Sequence, residues 1–180
     1  MRILKEESAG LVIDIQERLF PFINDHDEMA KNAGILIRGL QGMGIPVLIT
    51  QQYTKGLGPT IGPVRELFGG QEHLEKIAFS CCDDITIMDR LIGLGRKYII
   101  ITGIEAHVCV LQTTIDLLEK GFTPVVVADC VSSRRKNDKD QAIMRMRREG
   151  AIITTYESIL FELLRYSGTE EFKAISRLVK

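Results

Sequence analysis

The chain has 180 residues, of which 45% are apolar and 26% charged, an ordinary globular balance in a length suited to one domain. A formal net charge of -1 and a pI of about 6.3 leave no basic excess to neutralise phosphates, which argues against nucleic-acid binding. No apolar run approaches the ~18 residues of a membrane span, MRILKEESAG lacks the apolar stretch of a signal peptide, and Cys81, Cys82, Cys109 and Cys130 read as reduced thiols. The expected compartment is the cytoplasm, with no membrane partner.

In chain order, short β-branched runs alternate with amphipathic segments, the pattern of βαβ units and a mainly parallel sheet. Leu11-Val12-Ile13 reads as the first strand and Glu28 to Met43 as a helix closed by Gly44. Val47 to Thr50 reads as the second strand, with Pro46 where a missing N–H costs least. Gln51 to Gly70, with five glycines and two prolines, reads as a long loop, and loops of that length are usually functional. His73 to Phe79 follows as a third extended segment. Asp84 to Leu94 reads as a helix with Asp83 or Asp84 at its N-cap. Tyr98 to Thr102 is the most apolar strand and is expected to be covered on both faces. A helix from about Ala106 to Lys120, a strand at Val125–Ala128, a basic helix at Asn137–Glu149 and a strand at Ile152–Thr155 come next. Two helices, near Ser158–Arg165 and Thr169–Val179, end the chain. With no linker, repeat or low-complexity tract, residues 1–180 are expected to form a single three-layer α/β/α domain with a six-stranded, Rossmann-like sheet.

Parallel sheets bind ligands beyond the carboxyl ends of their strands. Asp14 ends the first strand, Gln51 and Gln52 the second, and Glu105, His107 and Cys109 follow the fourth. Cys109 falls in the first turn of a helix, where free N–H groups and the helix dipole would lower its thiol pKa toward neutrality and hold an oxyanion. It reads equally as a small buried hydrophobe beside Val108, Val110 and Leu111. Asp14 could be a general base, or else a helix cap or a partner for Arg18. Lys76 shares a strand face with Leu74 and Ala78, and is either a tuned buried ammonium or a lysine snorkelling to water.

Together these residues resemble the cysteine-hydrolase branch of the isochorismatase-like family. The resemblance rests on Val12-Ile13-Asp14-Ile15-Gln16, on Lys76-Ile77-Ala78-Phe79-Ser80, and above all on Thr102-Gly103-Ile104-Glu105-Ala106-His107-Val108-Cys109-Val110, with Val127-Ala128-Asp129-Cys130-Val131-Ser132-Ser133 downstream. Gln52 to Thr60 and Gly-Ile-Glu-Ala-His are most similar to isochorismatase domain-containing proteins. The resemblance implies a triad of Asp14 as base, Lys76 as its partner and Cys109 as nucleophile, acting on an amide, imide or similar carbonyl through a thioester. It also implies a cis peptide at Ile104–Glu105 that brings the Glu105 N–H to the oxyanion, and a homo-oligomer, a dimer or larger. The substrate-lining candidates are Phe20, Gln52, Tyr53 and His107, the last equally a helix cap.

Nicotinamide-directed amidases of this family bind a metal through an aspartate and histidines after the second strand. Gln51 to Gly70 contains neither residue type, so no metal and no cofactor are expected. Isochorismatase proper lacks a cysteine at the nucleophile position, so Cys109 points to C–N or thioester carbonyls in a small-molecule substrate. Gly42-Met43-Gly44 and Gly93-Leu94-Gly95 follow helices rather than strands and do not make a dinucleotide fingerprint. Neither Cys109 nor Cys130 has the arginine six residues on that a cysteine phosphatase needs. The alternative to an enzyme is a catalytically silent family member serving as a binding or assembly module.

Overall fold

The computed structural model describes residues 2–180. The first apolar run is β1 (Ser8–Ile13), buried throughout. Val12 enters one core, while Ala9, Leu11 and Ile13 enter the other, as a strand covered on both faces requires. β4 (Tyr98–Ile104) behaves the same way, with Tyr98 and Ile100 on one side and Ile99 and Ile101 on the other.

With β2 (Val47–Gln52), β3 (Leu74–Lys76), β5 (Thr123–Ser132) and β6 (Ile152–Thr154), these strands form one sheet in the order β3-β2-β1-β4-β5-β6. Every pairing is parallel, as the alternation of strand and helix predicted. α1 (His26–Gly42), α7 (Tyr156–Leu164) and α8 (Glu170–Leu178) supply the core on one face. α4 (Ile85–Gly93), α5 (Leu111–Glu119) and α6 (Lys136–Glu149) supply the other. Asp84 caps α4 by accepting from the N–H groups of Thr86 and Ile87 at 3.0 and 3.1 Å.

Three departures from the sequence reading bear on the site. The long loop after β2 is not featureless: it holds the single-turn helices α2 (Thr54–Leu57) and α3 (Gly62–Arg65) and a 3-10 turn at Glu66–Phe68. The third extended segment pairs only over Leu74–Lys76 and then leaves the sheet. The helix after β4 opens with a π-helical turn, Ala106–Val110, before α5 begins.

β1 and β4 come unusually close at their carboxyl ends, where Ile13 pairs with Gly103. Gly103 has φ +140, and a Cβ there would sit 2.1 Å from the Ile13 carbonyl oxygen. Only glycine fits that approach. Among the described residues, no helix is long and apolar enough to cross a membrane.

Candidate active site

Asp14 is the first residue beyond β1 and turns sharply, with φ 53, a conformation that aspartate tolerates better than most side chains. Its carboxylate is fully buried and meets two donors. Lys76 Nζ lies 2.6 Å from Oδ2, with both side chains 0% exposed, and Thr50 Oγ1 donates to Oδ1 at 2.8 Å. The Lys76 ammonium also donates to the carbonyls of Ala78 and Phe79, at 3.1 and 3.0 Å. Burial alone would lower the Lys76 pKa, but the Asp14 charge beside it reverses the sign and holds it above its ordinary value. Asp14 therefore takes a buried cation rather than Arg18, whose guanidinium donates to the Gly56 carbonyl. Replacing Thr50 by valine should lower stability by about 1–3 kcal/mol, the cost of an unmet buried acceptor, read by denaturant unfolding.

How Lys76 reaches Asp14 from the edge of the sheet follows from the register. Lys76 pairs with Gln52, the last residue of β2, so its side chain starts above the level at which β1 ends. The chain after Lys76 then crosses the top of the sheet toward α5. Ser80 Oγ donates to Asp116 of α5, and the Cys81 N–H donates to Thr113 Oγ1 at 2.9 Å. This strap spans from the edge strand to the helix that follows Cys109, and it lays Lys76 over the end of β2 onto Asp14.

Cys109 sits in the π-helical turn after β4, 4% exposed. Its thiol donates to Gln52 Oε1 at 3.1 Å, and the Asp14 charge acts on the same sulfur. Gln52 is held in turn: Gln16 Oε1 accepts from its N–H at 2.7 Å, and Gln16 Nε2 donates to its carbonyl at 3.0 Å. The expectation of a thiol pKa drawn toward neutrality is not met. Burial, then the Asp14 charge, push Cys109 up to about 12, and Lys76 offsets only part of this because its charge is already engaged by Asp14. Cys81 and Cys82 are likewise pushed up to about 12, by burial first.

The Ile104–Glu105 peptide is cis. Glu105 is mostly buried and pairs with Arg134 Nε at 2.8 Å, and His107 Nδ1 lies 2.9 Å from Ser133 Oγ. Both contacts tie the Cys109 turn to the end of β5, since Ile104 pairs with Ser132. Tyr53 is half exposed at φ 40, and its N–H donates to the Lys76 carbonyl at 2.9 Å.

Phe20 makes a ring contact outside this group of residues. The turn at Gln16 directs it toward α1, where it stacks on His26 with ring centroids 4.8 Å apart. Thr50, Gln16, Ser133 and Arg134 were not among the residues expected at the site. Thr50 carried a signal, a hydroxyl two residues from the end of an apolar strand. Arg134 precedes α6 and pairs with Glu105 while most of its side chain stays exposed.

Comparison with known proteins agrees with this arrangement of elements. The family model described as Isochorismatase domain matches residues 8–158. Isochorismatase family protein 1B of Dictyostelium discoideum is 36% identical, over 99% of this chain and 89% of that protein. The structure of MAR1 ribonuclease from Caenorhabditis elegans superposes with a TM-score of 0.92 at 38% identity, covering 99% of this chain and 92% of that one. YcaC from Pseudomonas aeruginosa, with hexane-2,5-diol and covalent acrylamide, does so with a TM-score of 0.90 at 28% identity, over 97% and 89%. With its whole sheet and the turn bearing Cys109 inside the matched span, the chain belongs to the isochorismatase domain family.

Proposed function

We propose that this protein is a cysteine hydrolase that cleaves a small amide, imide or similar C–N carbonyl through a thioester, without a metal. The observation that supports this most is the buried Lys76–Asp14 pair set against the Cys109 sulfur. A thiol pushed up to about 12 is a poor nucleophile by itself at neutral pH, so the proton must leave as the S–C bond forms. We assign that proton to Asp14, whose carboxylate Lys76 holds in an ion pair at 2.6 Å.

In the first half-reaction the sulfur adds to the carbonyl carbon and the Asp14 carboxylate gains the thiol proton. N–H groups of the turn from Glu105 to Cys109 hold the oxyanion. Collapse breaks the C–N bond, and Asp14 returns its proton to the departing nitrogen. In the second half, water gives a proton to Asp14 and adds to the thioester, and the acid leaves as the thiol is restored. Gln52 orients the thiol, while Tyr53 and His107 flank the turn as substrate contacts.

Ribonuclease is the description of the C. elegans neighbour. The balance of 23 basic against 24 acidic residues gives this chain no general attraction for RNA, and a thioester mechanism has no use for a phosphodiester. Among the described residues no three His, Cys, Asp or Glu side chains gather in a way that could hold a metal ion.

The direct test is to quench a panel of small amides, imides, ureido acids and thioesters with the protein in acid and weigh the intact chain. An acyl group on the Cys109 peptide, released at the rate of turnover, is the expected result. Turnover with no adduct and full activity in Cys109→Ala would overturn the proposal, as would RNA cleavage that depends on Asp14. Activity should also survive exhaustive chelation. Loss that added zinc restores would remove the metal-free part of the reading.

A further inference from the structure

A cavity of about 520 Å³ lies along α1, lined by residues that the Cys109 site does not use. Its volume falls in the range of pockets that hold small ligands. Phe20, Ile61 and Leu178 give it an apolar wall, and Gly34 leaves its floor open: a Cβ built there would meet nothing nearer than 3.9 Å. A helix-interior glycine sacrifices roughly 1 kcal/mol of helix propensity relative to alanine. Here the absent side chain keeps space that a larger residue would occupy.

The rim is charged. Lys31 and Arg38 stand seven residues apart on one face of α1, about 10 Å along its axis. Neither makes a hydrogen bond or an ion pair with another described residue. Arg38 Nη1 lies 4.0 Å from the position a Gly34 Cβ would take, so the guanidinium hangs over the open floor. At the other end Asp27 lies near Lys31 in sequence, although its carboxylate is 3.2 Å from His26 Nδ1. The Arg38 end is therefore the cleaner anion site, and the apolar wall leads away from it.

We propose that this cavity is a second ligand site, separate from the Cys109 site, and that it binds a medium-chain monocarboxylate. The carboxylate pairs with Arg38 through parallel N–H donors, a geometry a guanidinium suits, and the alkyl tail lies over Gly34 toward Phe20, Ile61 and Leu178. A neutral molecule of the same shape leaves Arg38 unmatched.

Calorimetric titration of the full chain with octanoate tests this. One saturable site is expected, weakened at least tenfold in Arg38→Gln and lost in Gly34→Leu, with Cys109→Ala binding as the parent does. Octanol should bind at least tenfold more weakly than octanoate. Arg38 is exposed, so its variant should fold even if the leucine at position 34 does not. Absence of saturable octanoate binding, equal affinity for octanol, or binding untouched by Arg38→Gln would each overturn the proposal. Octanoate binding lost in Cys109→Ala would place the ligand at the other site and overturn it too. None of these outcomes depends on turnover at Cys109.

Discussion

Asp14→Asn should lower turnover by at least about 10³-fold, close to the floor set by Cys109→Ala, and yet make Cys109 easier to alkylate. The two effects have opposite signs because the carboxylate does opposite things to the two processes. It raises the thiol pKa, second only to burial, while Lys76 lowers it. Asparagine keeps the shape, tolerates the same left-handed backbone and can still accept from Thr50. It removes the negative charge and leaves an ammonium facing the sulfur, so the thiol pKa must fall from about 12. Iodoacetamide reacts with thiolate, so labelling of Cys109 near neutral pH should accelerate in the variant. In the parent, labelling should climb with pH through the alkaline range without levelling below about pH 10, since the thiolate fraction still grows there. Turnover of the variant should collapse because no group remains to carry the proton. Slower labelling in Asp14→Asn, with circular dichroism unchanged, would mean that the carboxylate activates the sulfur in the ground state and is not simply its proton acceptor. Turnover equal to the parent would remove Asp14 from the chemistry.

The sheet was legible in the sequence because apolar runs buried on both faces leave little choice of secondary structure. Ile99, Ile100 and Ile101 have no polar face to turn to water, and the structure buries all three. Gly44, which reads as the close of its helix, was equally direct, since it adopts positive φ just past the end of α1. What sequence could not supply was the strap from Ile77 to Ser80. Its period-two alternation reads as a strand, but its backbone pairs only as far as Lys76, and exposed Ile77 and Phe79 then alternate with residues turned inward. The strap is positioned by Ser80 on Asp116 and by Cys81 on Thr113, contacts some thirty residues apart in the chain. Local pattern carries no trace of such pairs. The thiol pKa departs from the local expectation for a related reason. Placement in the first turn of a helix is a local feature, whereas the burial and the nearby carboxylate that outweigh it come from other strands. The direction of Phe20 likewise depends on the turn at Gln16, after which it stacks on His26 of α1.

Lys76→Met should destabilise the fold by about 3–5 kcal/mol, and adding Asp14→Asn should return much of that loss. The single variant leaves a carboxylate that is 0% exposed without its cation, still accepting from the Thr50 hydroxyl. It also frees the Ala78 and Phe79 carbonyls, each of which loses its lysine donor. The second substitution removes the stranded charge but not those two carbonyls, so recovery should stop short of the parent. Denaturant unfolding of the four proteins gives the coupling directly, as the difference between the double variant and the sum of the singles. Strict additivity would mean that Lys76 and Asp14 do not act as a pair in solution. A large coupling together with a double variant that is folded and inactive would separate two roles the pair could have. A buried ion pair is weak evidence for stability, so stability alone does not account for an ammonium and a carboxylate at the top of the sheet. The proposed proton transfer at the Cys109 sulfur accounts for them, because it requires a base near the thiol and a cation that holds that base in place.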